Sequence, residues 1–164
     1  IGIDAQVCRR VNGDGLKVFL NKLHLGKLSY FIKTMQTLAE LPKVRARVRF
    51  GDGEKERVHS LMCMAVMNQK YEGGGLPMAP GASDRDGKLS ICYIHGVKKI
   101  KALCALAALV KGKHVGFSGI DALACSSCEV WLQEPMAGHM DGEDLGDLVR
   151  LRYECLPGAL QVMK

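Results

Sequence analysis

Two tight acidic turns hold the side chains best suited to chemistry. Asp141-Gly142-Glu143 brings two carboxylates together, which serves general-base work or the positioning of a metal-bound phosphate. The run Ser83-Asp84-Arg85-Asp86-Gly87-Lys88 sets a carboxylate beside backbone carbonyls, the hard oxygen donors that Mg²⁺ or Ca²⁺ selects. On their residues alone both are also ordinary hairpin turns, because Asp-Gly is the commonest such dipeptide. Asp4 follows a strand-like Ile1-Gly2-Ile3 and has two readings, a cap for a short helix over 5–11 or a polar contact to substrate. His114 reads as a helix-end or surface histidine rather than a base. Cys125-Ser-Ser-Cys128 lacks the second ligand pair that zinc would need. Two Gly-Asp-Gly triplets, at 13–15 and 51–53, read as turns, and no GxSxG, HExxH or Walker-type loop is present.

The turns need a frame, and the spacing of apolar residues supplies one. Residues 28–41 carry apolar side chains at 28, 31, 32, 35, 38 and 41, a helical stripe ended by Pro42. Val44–Phe50 alternates strictly, with Arg45, Arg47 and Arg49 opposite the apolar face, as a half-buried antiparallel strand does. A hairpin turn at 51–54 leads into a mostly apolar strand at 58–67. Residues 68–91 then concentrate glycine, proline and acids, including Gly73-Gly74-Gly75, before a strand at 89–94. Residues 98–111 are apolar on nearly every side and predict a buried or interface helix ending at Gly112. Short strands are expected at 115–117, 123–126, 128–133, 149–153 and 159–163. The expected class is α+β, a β-rich two-sheet sandwich of mainly antiparallel strands with two main helices.

Composition narrows the function classes. The 164 residues suffice for one domain with a core, and 48% hydrophobic with 24% charged residues is globular rather than disordered. A net charge of +6 favours anionic surfaces such as phospholipid headgroups or nucleotides. With only 5% aromatics and no stacking platform among the basic residues, nucleic acid is not expected as a partner. Seven cysteines, scattered through apolar runs, suit a reduced interior rather than a disulfide framework. No apolar run reaches the roughly 20 residues of a membrane span, and the abrupt start at Ile1 suggests a fragment.

The ordered set of short motifs resembles the C-terminal part of bacterial diacylglycerol kinase and YegS-like lipid kinases. It comprises Gly2-Ile3-Asp4-Ala5, Leu25-Gly26-Lys27-Leu28-Ser29-Tyr30, Asn68 with Tyr71-Glu72-Gly73-Gly74-Gly75, and Ala79-Pro80-Gly81-Ala82 with Asp86-Gly87-Lys88-Leu89. Lys111-Gly112-Lys113-His114, Asp141-Gly142-Glu143 and Leu156-Pro157-Gly158-Ala159-Leu160 complete it, so the resemblance covers nearly the whole chain. Such kinases have two domains, and the glycine-rich ATP loop of the first is absent here.

What the resemblance implies is that residues 1–164 are a C-terminal β-sandwich domain, inactive alone, whose N-terminal nucleotide-binding partner lies outside this chain. The implied activity is transfer of the γ-phosphate of ATP to the hydroxyl of diacylglycerol or a similar lipid, in the cytoplasm at the inner membrane face. Asp141 would be the general base and Glu143 its support in a Mg²⁺-water network. Asp86, with the main-chain carbonyls of Ser83 and Lys88, would hold a structural metal ion, Mg²⁺ or Ca²⁺, and Asp4 would line the cleft between domains. The family often has leucine where Lys88 stands, a change that a carbonyl ligand tolerates. A homodimer is a further expectation. The alternatives are a non-catalytic lipid- or membrane-binding module, or a relative of NAD kinase, whose Thr/Ser-rich substrate stretch this sequence lacks.

Overall fold

A computed structural model describes residues 1–13, 34, 36–38, 40, 43–51, 56–72 and 75–160. Helix α1 (Ile3–Gly13) is followed by strands β1 (Val44–Phe50), β2 (Arg57–Met67) and β3 (Leu89–His95). Helix α2 (Lys99–Leu109) and a 3₁₀ turn at His114–Gly116 precede β4 (Ile120–Cys125), β5 (Ser127–Met140) and β6 (Glu143–Glu154). Within the expected 28–41 helix, Thr34, Gln36, Thr37, Leu38 and Glu40 are helical, and the rest lies outside the described residues. So do the 25–30 motif, Gly73 and Gly74, most of the 51–54 turn, and 161–163 of the expected last strand, while 159 and 160 are not extended into a strand.

All six strands form one antiparallel sheet in the order β4-β3-β2-β1-β5-β6. The α+β, β-rich class is as expected, and the two layers of the sandwich are halves of this single sheet. Its curl follows from connectivity. Three strands separate β4 from β5, which would place them about 19 Å apart in a flat sheet at a strand spacing of roughly 4.8 Å. Yet β4 passes into β5 through Ser126 alone. The sheet therefore closes on itself, and Gly87 before β3 comes to lie against Pro157 beyond β6.

The alternation seen in the sequence drives this closure. In β1, Val44, Ala46, Val48 and Phe50 are all buried, while the arginines between them face outward. They meet Leu61 and Met64 of β2, Ile91 and Tyr93 of β3, and Cys128, Val130 and Leu132 of β5 in one core. The Phe50 and Tyr93 rings sit 5.5 Å apart at its centre. Burying a side chain of this size stabilises the fold by roughly 1.5–3 kcal/mol. On the opposite face α2 lays Ala102 and Ala105 against Met62, Val97, Cys92 and Ile120. None of the seven cysteines is in a disulfide.

Three expectations need correction. The strand foreseen at 115–117 is a 3₁₀ turn, because Gly112 adopts φ 65° to end the helix and the chain then bends back at once. His114 is buried, not at the surface, since that turn points its ring inward, with Nε2 3.0 Å from the Met78 carbonyl oxygen and 3.5 Å from Cys92 Sγ. The short strand at 128–133 is in fact the first half of the 14-residue β5. There Gln133-Glu134-Pro135 forms a bulge, shown by the register jump from Trp131↔Arg150 to Met136↔Leu148, and a bulge is where a strand tolerates proline.

Candidate functional site

The site is built where the end of β5 meets the first turn of α1. Residues Ile1 and Gly2 run beside β2 and β5: Gly2 N–H donates to the Ala137 carbonyl at 2.9 Å, and the Met64 N–H donates to the Ile1 carbonyl at 3.0 Å. Gly2 adopts φ 88°, and a Cβ there would stand 2.3 Å from the Met62 carbonyl oxygen, so only glycine fits. This close approach delivers Asp4 to the sheet. Asp4 lies inside the first turn of α1, and its carboxylate turns to the sheet rather than capping the helix.

There Asp4 Oδ2 lies 2.6 Å from His139 Nε2, which donates to it, and Glu72 Oε1 lies 3.6 Å from the same nitrogen. The three side chains are only 12–19% exposed. Burial, then the charge and hydrogen bond of Asp4, push the Glu72 carboxyl up to about 8. Glu72 therefore keeps its proton at neutral pH and donates it to Asp4, a pairing that two adjacent carboxyls require. Glu72 Oε2 and His139 Nδ1 are buried with no hydrogen-bond partner. Among the described residues this is the one group of three whose donor atoms, all within 4.8 Å, could hold a metal ion, and its mixed nitrogen and oxygen donors suit a transition-metal dication.

Two residues beyond His139, β5 turns into β6 at Asp141-Gly142. Met140 pairs with Glu143, and the two loop residues have φ 50° and 90°, the positive pair that a two-residue type I′ hairpin needs. Asp141 and Glu143 are both exposed at this tip. The tip is tied to α1 by Arg9, whose Nε and Nη2 reach the two Asp144 oxygens at 2.7 and 2.9 Å and whose Nη1 reaches Asp147 at 2.8 Å. This fork holds the Asp144 carboxyl below the usual carboxylate range, with the Gly146 N–H adding to it. Helix α1 thus supplies Asp4 at its start and Arg9 a turn and a half later, and both fix the carboxylate hairpin. The result is an acidic, hydrogen-bonded platform with free carboxylates at its rim, able to accept a proton from a bound hydroxyl or to face a cation.

The second acidic turn lies elsewhere. Asp86 is exposed, its Oδ1 accepting the Lys88 N–H at 3.0 Å, while the Arg85 N–H meets Ser83 Oγ at 3.3 Å. Because Gly87 packs on Pro157, this turn lies past the Glu154 end of β6, whereas Asp141 precedes its Glu143 end. The structure brings Asp4, His139 and Glu72 together near Asp141 and Glu143, and leaves Ser83, Asp86 and Lys88 apart. His139, Arg9 and Asp147 carried no signal of their own in the sequence, beyond the two-residue step from His139 to Asp141, while Glu72 stood only as one residue of the 71–75 motif and Asp144 only as a neighbour of the acidic turn.

The family described as the YegS C-terminal NAD kinase beta sandwich-like domain matches residues 1–164. A Mycobacterium tuberculosis protein named diacylglycerol kinase is 26% identical over 139 residues, 85% of this chain and 44% of its own length. A Pseudomonas fluorescens protein named a probable YegS-like lipid kinase is 28% identical over 169 residues, 98% of this chain and 50% of its own. The chain thus spans about half the length of these curated relatives. A Bacillus anthracis crystal structure superposes with a TM-score of 0.60 at 22% identity, over 89% of this chain and 47% of its own. At that identity the shared property is the fold.

Proposed function

Since this chain belongs to the family of YegS C-terminal NAD kinase β-sandwich-like domains, we propose that it is one half of an ATP-dependent lipid kinase. The nucleotide would be bound mainly by an N-terminal domain of the same protein. The observation that supports this reading most is the Asp141-Gly142 hairpin, exposed at its tip and held from below by Asp4 and Arg9 of one helix. In the reading, Asp141 takes the proton from the hydroxyl of diacylglycerol or a similar lipid as that oxygen attacks the γ-phosphate in line. Glu143 stands beside it, and Asp4, locked by His139 and Glu72, lines the floor of the cleft and keeps the hairpin in place. The protein would work in the cytoplasm, peripheral to the inner membrane face.

A Mg²⁺ or Ca²⁺ ion at the Asp86 turn would take the exposed Asp86 carboxylate and the main-chain carbonyls of Ser83 and Lys88, oxygen donors of the kind these cations select. Bound there, it would rigidify the loop between β2 and β3. Mg²⁺ accompanying ATP would neutralise charge on the transferred phosphoryl group, and Glu143 would orient water around it.

The test is phosphate transfer from ATP to a panel of hydroxyl lipids by the full-length gene product. Transfer to one lipid, reduced about 10²- to 10⁴-fold by Asp141→Asn, is the expected result. A protein that binds Mg-ATP and phosphorylates none of the lipids overturns the reading, and an unchanged rate in the variant removes Asp141 as the base.

A further inference from the structure

Helix α2 is apolar on two opposite sides. At 100° per residue, Ala102, Ala105 and Leu109 cluster on the side packed against the sheet. Ile100, Cys104 and Ala107 cluster on the opposite side, all exposed, and Val110 at the helix end is a further exposed apolar side chain on the flank of Lys99. Ile100 is 68% and Val110 66% exposed. Lys99 and Lys101 fall about 100° to either side of the stripe. With Lys98 before the helix and Lys111 and Lys113 after it, five exposed lysines frame this surface. From Gly96 to Gly119 the chain carries no Asp or Glu. The nearest acid in sequence, Asp121, is held by His95 at 2.8 Å. Beside the helix start lies an open hollow of about 410 Å³ lined by His95, Lys98, Lys101 and Ser118, among others.

We propose that the outer face of α2 is a docking surface for an anionic phospholipid membrane, lying flat in the headgroup layer with its apolar stripe inward and its lysines on headgroup phosphates. Charge decides the occupant. A second copy of this face would oppose lysines with lysines, and a neutral apolar partner would offer no countercharge to Lys98, Lys101, Lys111 and Lys113. A membrane carrying acidic lipid satisfies both the stripe and the lysines, which is how an interfacial helix binds. The hollow beside Lys98 and Lys101 has room for a headgroup phosphate. The biological purpose of this docking rests on the lipid-kinase reading, since an enzyme acting on a bilayer lipid must sit on the bilayer, but the docking itself needs no phosphate transfer.

The experiment is sedimentation of the full-length gene product with vesicles, without ATP. Vesicles of phosphatidylcholine alone are compared with vesicles in which roughly one lipid in three is phosphatidylglycerol, a level at which surface charge dominates binding. The parent protein is expected to bind the anionic vesicles and not the neutral ones. Replacing Lys98, Lys99 and Lys101 together by Gln should weaken that binding about 100-fold, from roughly fivefold per lysine. An Ile100→Ser, Val110→Ser double variant should weaken it too, and circular dichroism should show both variants folded, because every altered side chain is exposed. No binding to anionic vesicles, binding unchanged in both variants, or a stable dimer that protects α2 from hydrogen exchange would each overturn the proposal. None of these outcomes depends on kinase activity, so a failed transfer assay and a failed docking assay remain distinct.

Discussion

His139 Nε2 donates to Asp4 Oδ2 at 2.6 Å, joining the end of a 14-residue strand to the first turn of a helix 135 residues away in sequence. The contact matters because Glu72 Oε1 lies 3.6 Å from the same ring nitrogen. With the imidazole removed, Asp4 loses a buried partner and the two carboxyls face an empty space. His139→Ala is expected to destabilise the chain by about 1.5–3 kcal/mol, the worth of a hydrogen bond to a charged group. A urea unfolding midpoint that equals the parent's would show that the contact contributes nothing.

Glu72 gives the domain a pH-dependent stability of definite sign. Its carboxyl sits near 4.5 ordinarily and is pushed up to about 8 here by burial first and Asp4 second. The folded chain thus holds a proton that the unfolded chain gives up between those two values. The stabilisation is complete below about pH 4.5 and is lost as pH rises toward 8. Glu72→Gln keeps the shape and cannot ionise, so it should flatten that decline and be more stable than the parent at pH 8. Unfolding free energies at pH 5, 6.5 and 8 check this, and parallel curves for the two proteins would refute it.

The fold was legible where one residue pattern served one purpose. Val44–Phe50 alternates apolar and arginine side chains because a single face is buried, and β1 lies where that alternation placed it. In β5 the pattern breaks at Gln133-Glu134-Pro135, so the continuous strand was hidden behind a bulge that pairing with β6 bridges. The hairpin at Asp141-Gly142 was readable because a two-residue turn has few sequences that fit it. The Asp4, Glu72 and His139 cluster was not, because each residue alone looks like a surface polar group. The Ile1–Gly2 segment, running beside both β2 and β5, brings Asp4 to them from across the sequence. Residue type showed which groups could react, and sequence distance concealed which would meet.

Gly2 is the position that sets Asp4 in place, and it tolerates no side chain. Its φ of 88° disfavours any L residue, and the added Cβ would stand 2.3 Å from a main-chain oxygen that cannot swing aside. Gly2→Ala should therefore cost about 2–4 kcal/mol, the range of strained-backbone and overpacking changes. Gly51 is the control, since its φ is also positive at 73° but nothing lies within 4 Å of its Cβ. Gly51→Ala should cost only about 1 kcal/mol of backbone strain. Equal losses in the two variants would mean that the close approach to Met62 is not what demands glycine.

Asp141 has a conformational role that must be separated from any chemical one. It holds φ 50° as the first loop residue of the hairpin, a region that Asn and Asp enter more easily than other side chains. Asp141→Asn preserves that preference and removes only the charge and the ability to accept a proton. Asp141→Ala removes both and should be less stable than the Asn variant by about 1 kcal/mol. If Asp141 is the base, the two variants of the full-length protein should lose transfer activity to a similar extent although their stabilities differ. If activity instead follows stability, falling in the Ala variant and surviving in the Asn variant, then the hairpin's shape is what the reaction needs, and the proton is taken by another group.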